Sequence, residues 1–121
     1  LKKLKKSAED YLGHEVKDLS RAKFVSANDY SSLYNEKFDL CIGSHSLSEL
    51  AWDDFISYYE TIVKNSKYFF YAGHNWNCGW DLLKRKLDLI NQDFDLVKQC
   101  DEDFIDSYDN NGLYNNLYLR K

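Results

Sequence analysis

Two short apolar runs flank one amphipathic segment, and this alternation restricts the fold more than any other feature of the chain. Phe38-Asp39-Leu40-Cys41-Ile42-Gly43-Ser44 is apolar and ends in small polar residues. Tyr68-Phe69-Phe70-Tyr71-Ala72 is apolar throughout. Between them Trp52, Phe55, Ile56, Tyr59, Ile62 and Val63 recur at three- and four-residue spacing, the period of a helix with one buried face. Short apolar runs emptying into polar loops read as buried strands of a parallel sheet. A parallel pair needs a crossover, and the helical segment supplies it.

The flanks extend the pattern. Leu1, Leu4, Ala8, Tyr11 and Leu12 share one helical face, with lysines on the other and Gly13 as a stop. Ala22-Lys23-Phe24-Val25-Ser26 reads as a short strand, and Ala27 to Ser32 as a polar loop or short helical turn. Asp53 and Asp54 sit in the first turn of the central helix and Lys64 in its last, as the helix dipole favours. Asn65-Ser66 ends it. Trp80, Leu83, Leu87 and Ile90 mark a second amphipathic helix. Phe94 to Cys100 and Leu113 to Leu119 are two closing strands, with Asp109-Asn110-Asn111-Gly112 as a turn signal between them. The expected fold is α/β: a mostly parallel, Rossmann-like open sheet with helices on its faces and an antiparallel strand pair at its edge. Ligands of such sheets bind outside the carboxyl ends of the strands. That places the candidate site at Ser26 to Tyr30, Gly43 to Glu49 and Gly73 to Cys78.

Composition removes several classes of function. The 121 residues are 44% hydrophobic and 17% aromatic, enough for a core. A net charge of −4 argues against a nucleic-acid binder, which needs a basic footprint. No apolar run approaches the roughly 20 residues of a membrane span, so no membrane partner is expected. Three cysteines cannot all pair, and Cys41 sits in an apolar run; a reducing, cytoplasmic setting fits. His74-x-x-x-Cys78 lacks the paired spacing of structural zinc, with only His14 and Cys100 left over. The acidic run from Asp101 to Asp109 has Asp106 and Gly112 where a calcium loop needs Gly and Glu, and reads as a solvated loop. Gly43-Ser44-His45-Ser46-Leu47 fails the hydrolase elbow, because neither Ser44 nor Ser46 has Gly two residues on.

The segment from Phe38 through Ser44-His45-Ser46-Leu47-Ser48-Glu49-Leu50 resembles the fourth strand and following loop of class I S-adenosylmethionine-dependent methyltransferases. A mixed sheet finishing with a late antiparallel strand is typical of that family. The version Ser-His-Ser-Leu-Ser-Glu-Leu is most similar to the sugar O-methyltransferases of bacterial polysaccharide loci. The resemblance implies S-adenosylmethionine as cofactor and a small-molecule or saccharide acceptor. It departs from the family at the cofactor loop. Gly13, Gly43, Gly73, Gly79 and Gly112 nowhere form a glycine-rich turn, and the acidic ribose residue is missing. With Leu1 first and no Met anywhere, the chain is expected to be the C-terminal part of such a domain. The absent first strands imply exposed apolar sheet and self-association. With no Pro, the Pro-Pro and Pro-Cys pairs of base-modifying relatives are excluded, which favours an oxygen acceptor.

On this resemblance His45 meets the acceptor and could take a hydroxyl proton, since histidine's ordinary pKa of about 6.5 suits general-base work; a loop histidine bonded to backbone is the alternative. Glu49 either orients His45 or stabilises the first helical turn. Gly43 and Ser44 would line the cofactor. Asn28 and Asp29 fall beside its adenine, though Asn-Asp is equally an ordinary turn pair. His74, Asn75 and Trp76 offer an aromatic ring with amide and imidazole groups for a sugar, or form a satisfied loop. A non-catalytic α/β module or inactive remnant that binds a partner chain is the second expectation, motivated by the missing glycine loop.

Overall fold

A computed structural model of the chain describes residues 25–73, 79–99 and 114–121, together with Lys6, Asp10 and Lys23. His74, Asn75, Trp76 and the acidic run lie outside the described residues. The chain divides into two compact units, Leu1–Tyr34 and Asn35–Lys121.

In the first unit Lys6 and Asp10 are helical, within the expected helix. The expected strand at residues 22–26 is not formed at Lys23, Val25 or Ser26. Ser26 turns the chain instead: its carbonyl accepts the Asp29 N–H at 2.9 Å and its Oγ the Asn28 N–H at 3.4 Å. A 3₁₀ helix follows over Tyr30–Leu33. Asn28 and Asp29 are thus the turn pair of one reading, and Asp29 stands at the helix start with its carbonyl accepting both the N–H and Oγ–H of Ser32.

The second unit holds the sheet. Strand β1 spans Phe38–Ser44, and a one-turn helix α1 spans Ser46–Glu49. Helix α2 runs over Trp52–Thr61, then a 3₁₀ turn over Val63–Asn65 leads into β2 at Ser66–Gly73. Helix α3 is Gly79–Asp93, followed directly by β3 at Phe94–Gln99, and β4 is Tyr114–Arg120. Lys64 therefore lies beyond α2, where it pairs with Glu60 at 3.2 Å.

The strand order is β1-β2-β4-β3. β1 and β2 are parallel, with Phe38 opposite Ser66 and Ser44 opposite Ala72. β4 is antiparallel to both β2 and β3. Two expectations are corrected here. Among the described residues the sheet is mixed, not mostly parallel; the closing pair stands antiparallel at one edge as expected, with β3 outermost and β4 against β2. β1 is the other edge and is not buried on both faces, because Leu40 is 49% and Ile42 64% exposed.

Alternation along the strands sorts the sheet into two faces. Cys41, Phe69 and Tyr118 form one row across it, and Gly43, Tyr71 and Asn116 the next. Both long helices pack on this face, where Phe55, Tyr59, Leu83 and Ile90 join Phe69, Tyr71, Phe94 and Tyr118 in one buried cluster. Phe69 is its hub, with ring centroids 5.3 Å from Tyr71, 6.1 Å from Phe94 and 6.2 Å from Tyr118. Each such aromatic pair adds about 0.5–1.5 kcal/mol beyond its area burial. Tyr59 closes the core's polar edge by donating its hydroxyl to Asp93 Oδ2 at 2.7 Å.

Burial pushes the Cys41 thiol up to about 11, partly offset by a hydrogen bond with Ser66. An unfolded thiol ionises near pH 8.5. The folded state therefore holds a proton that the unfolded chain has lost, and stability falls as pH rises from about 8.5 to 11. Tyr59 acts with the same sign, because burial, then the Asp93 hydrogen bond, raises its hydroxyl well above the usual range. Urea unfolding is expected to show a loss of about 3 kcal/mol across that window from Cys41. Cys41→Ala should flatten that part of the profile; an unchanged profile in the variant would refute the assignment.

Candidate functional site

The carboxyl ends of β1 and β2 lie side by side, since Ser44 is opposite Ala72. His45 leaves β1 there with φ 54° and ψ −43°. Among the described residues it is the one non-glycine with positive φ. Its ψ also lies far from the left-handed helical well at about +47°. A conformation of this kind costs on the order of 1–3 kcal/mol and persists only where its surroundings fix it.

The fixing bonds are on both sides of the peptide. The His45 N–H donates to the Ala72 carbonyl at 2.7 Å, tying the turn to β2. The His45 carbonyl accepts the Ser48 N–H at 3.1 Å, the Glu49 N–H at 3.3 Å and the Ser48 hydroxyl. This starts α1 and leaves the imidazole exposed at the strand end. Glu49 thus reaches His45 through its backbone and closes α1 rather than opening a long helix.

The far side of the turn is held by Lys86, which is fully buried on α3. Its Nζ donates to the carbonyls of Leu47 at 3.2 Å, Ser48 at 2.9 Å and Leu50 at 2.6 Å. These carbonyls end a one-turn helix and have no continuing helical partner. The ammonium also sits 5.1 Å from the Phe55 ring centroid, and the neighbouring Arg85 guanidinium lies 3.8 Å from that of Trp52. One turn of α3 therefore grips both the end of α1 and the start of α2. The signal was in the sequence: Lys86 stands three residues after Leu83 and four before Ile90, on the apolar stripe of α3.

Gly43 is buried at the end of β1. A Cβ there would meet Leu47 Cδ1 at 2.5 Å and Phe69 Cε2 at 3.3 Å. The missing side chain thus makes room for Leu47 of this chain, and Gly43 has only backbone to offer a ligand. Ser44 and His45 are exposed beside it. The amide of Asn28 and carboxylate of Asp29, exposed in the first unit, have the chemistry for an adenine, but belong to a separate compact unit. At the end of β1 the second unit thus offers the backbone of Gly43, the hydroxyl of Ser44 and the imidazole of His45. An apolar cleft of about 190 Å³ between β1 and α2, lined by Ile42, Leu47 and Tyr58 among others, is smaller than the ~300 Å³ of typical ligand sites.

Comparison with protein-family models, with curated proteins and with solved structures finds no match to this chain.

Two substitutions test the turn. Lys86→Met keeps the stem and removes the donor, leaving buried carbonyls unsatisfied. It is expected to cost about 2 kcal/mol in chemical unfolding and to speed amide exchange at residues 46–50. His45→Gly relieves the positive φ and is expected to raise stability by roughly 1 kcal/mol; a loss of stability would show that the backbone there is not strained.

Proposed function

We propose that the chain carries the acceptor side of an S-adenosylmethionine-dependent O-methyltransferase, acting on a hydroxyl of a small molecule or saccharide. The observation that carries this reading is the strand order β1-β2-β4-β3, with the last strand inserted antiparallel and both long helices on one face. It is the arrangement expected of the closing half of such a sheet, and the Ser-His-Ser-Leu-Ser-Glu-Leu segment follows its first strand.

The cofactor, when bound, supplies a methyl group on a positively charged sulfur. The chain's own contribution is at His45. Its backbone is held from both sides, so the exposed imidazole is presented at the strand end in a fixed place. An imidazole nitrogen takes the acceptor's hydroxyl proton, a role worth typically 10²–10⁴-fold in rate. The Ser44 hydroxyl beside it can orient the acceptor oxygen. Positioning of acceptor against methyl donor supplies the larger part of the acceleration.

A second reading is a non-catalytic module that binds a partner chain. The edge position of β1, with Leu40 and Ile42 exposed, favours it, because an open apolar edge is a template for pairing. Self-association through the sheet belongs to the same reading.

Calorimetry separates the two. S-adenosylmethionine titrated into the protein as its gene encodes it is expected to bind with a Kd below ~1 mM, about −4 kcal/mol. No heat at that concentration rejects the enzyme. Given binding and turnover, His45→Ala should cut kcat by ~10²-fold or more with cofactor affinity kept; unchanged turnover removes His45 as the base.

A further inference from the structure

The opposite end of the sheet has a different character. β1 begins at Phe38, β2 at Ser66, and β4 ends at Arg120. The antiparallel register puts Tyr68 opposite Leu119, so Lys67 and Arg120 meet at the same end. Lys37 precedes β1 there and Lys121 follows β4. Residues more than eighty positions apart thus line one groove of about 400 Å³, within the ~300–1,000 Å³ of small-molecule sites.

The groove is strongly one-signed. Lys37, Lys67, Arg120 and Lys121 line it against a single carboxylate, Asp39. Among the described residues none of the four pairs with Asp39. Lys37 donates only to Asn65 Oδ1, at 3.4 Å. Lys67 lies over the ring of its neighbour Tyr68, 5.4 Å from the centroid. Lys121 donates to the Asn91 carbonyl at 2.8 Å and stands 3.9 Å from Asp95. The Arg120 guanidinium makes no hydrogen bond or ion pair among the described residues. Four cations gathered in a chain of net charge −4 repel one another, offset only by Asp39 in the groove and by Asp95 beside Lys121. A cleft lined by one sign of charge concentrates ligands of the other.

We infer that this groove binds a small molecule through a diphosphate group. A diphosphate carries two or more negative charges, which matches an excess of cations over the single Asp39. The Arg120 guanidinium offers the planar fork that phosphate oxygens accept, and the lysines act as point charges around it. The half-buried Phe38 ring on the groove wall provides an apolar surface for the organic part. β1 separates this groove from His45 by seven residues, roughly 23 Å of extended chain. It is a separate site, and its occupancy does not depend on the methyl-transfer reading.

The test is calorimetry of the 121-residue chain with pyrophosphate at low salt. One-to-one binding with a Kd below ~1 mM is expected, weakening severalfold as salt rises to screening levels. Orthophosphate should bind at least ~10-fold more weakly. ADP binding more tightly than pyrophosphate assigns the ligand to nucleotides, and equal affinity assigns it to the diphosphate alone. The double substitution of Lys67→Gln with Arg120→Gln, both exposed, should cost at least ~10-fold in affinity with an unchanged circular dichroism spectrum. Amide shifts on pyrophosphate addition to the native chain should fall at residues 37–39, 66–67 and 120–121, which keeps the test decisive if the variant does not fold. No binding at ~10 mM, equal binding of orthophosphate, undiminished binding by the folded variant, or shifts confined to other residues would each overturn the inference.

Discussion

The insertion of β4 between β2 and β3 is the constraint on which the second unit rests. β3 follows α3 without a loop, and among the described residues its ladder runs only to β4. β4 in turn pairs along its length with β2, from Gly73–Tyr114 to Tyr68–Leu119. Removing it would leave β3 unpaired and take Tyr118 from beside Phe69, opening the centre of the aromatic cluster. The same strand carries Asn116, whose Nδ2 donates to the Tyr118 hydroxyl at 2.9 Å while its buried Oδ1 has no partner among the described residues. A buried acceptor left open costs on the order of 1–3 kcal/mol. The aromatic packing around it outweighs that cost.

On the other side of β2, order at the strand end is imposed from α3. A lone buried ammonium would be expelled by its desolvation cost, which is several kcal/mol even after relaxation. Lys86 stays because three carbonyls converge on its three N–H donors. Those carbonyls exist at that spot only because α1 stops after one turn. α1 in turn begins on the strained His45 carbonyl. Strain, short helix and buried cation are therefore one arrangement, each needing the other two. An interaction of this kind positions a turn more narrowly than apolar packing does, since its acceptors must sit within hydrogen-bond reach of a single atom.

Much of the unit was legible in the sequence. The runs at Phe38–Ser44 and Tyr68–Ala72, and the helical stripes beginning at Trp52 and Trp80, could take only one period each, and they appear where that period puts them. The closing strands were legible as an antiparallel pair at the sheet edge but not in their order within it, because strand order depends on long-range register that no local pattern encodes. β1 looked doubly buried because Leu40 and Ile42 are as apolar as core residues; an edge position leaves the composition of a strand unchanged. The segment around Val25 failed for a local reason. Ser26 can satisfy the N–H groups of Asn28 and Asp29 itself, and that turn outcompetes a short run with weak alternation. His45 was legible as a residue type at a strand end, whereas its backbone strain was not, since φ is set by the bonds to Ala72 and α1. Lys86 is not legible from residue type, because a lysine ordinarily reads as solvated, though its place on the apolar stripe of α3 marks it as an exception.

The two ends of the sheet now differ in a way that follows from the fold alone. Parallel strands send all their carboxyl ends one way, and here that end receives the His45 turn with its exposed imidazole and hydroxyl. The amino ends of β1 and β2 would ordinarily be a plain base of the sheet. β4 runs the other way and delivers its own last residues, Arg120 and Lys121, to that base. Lys37 and Lys67 already stand there, each immediately flanking or opening a strand. A wholly parallel arrangement would have carried the terminal pair to the His45 end and left the base with two cations. The antiparallel insertion that completes the core is thus also what concentrates positive charge far from the candidate acceptor site.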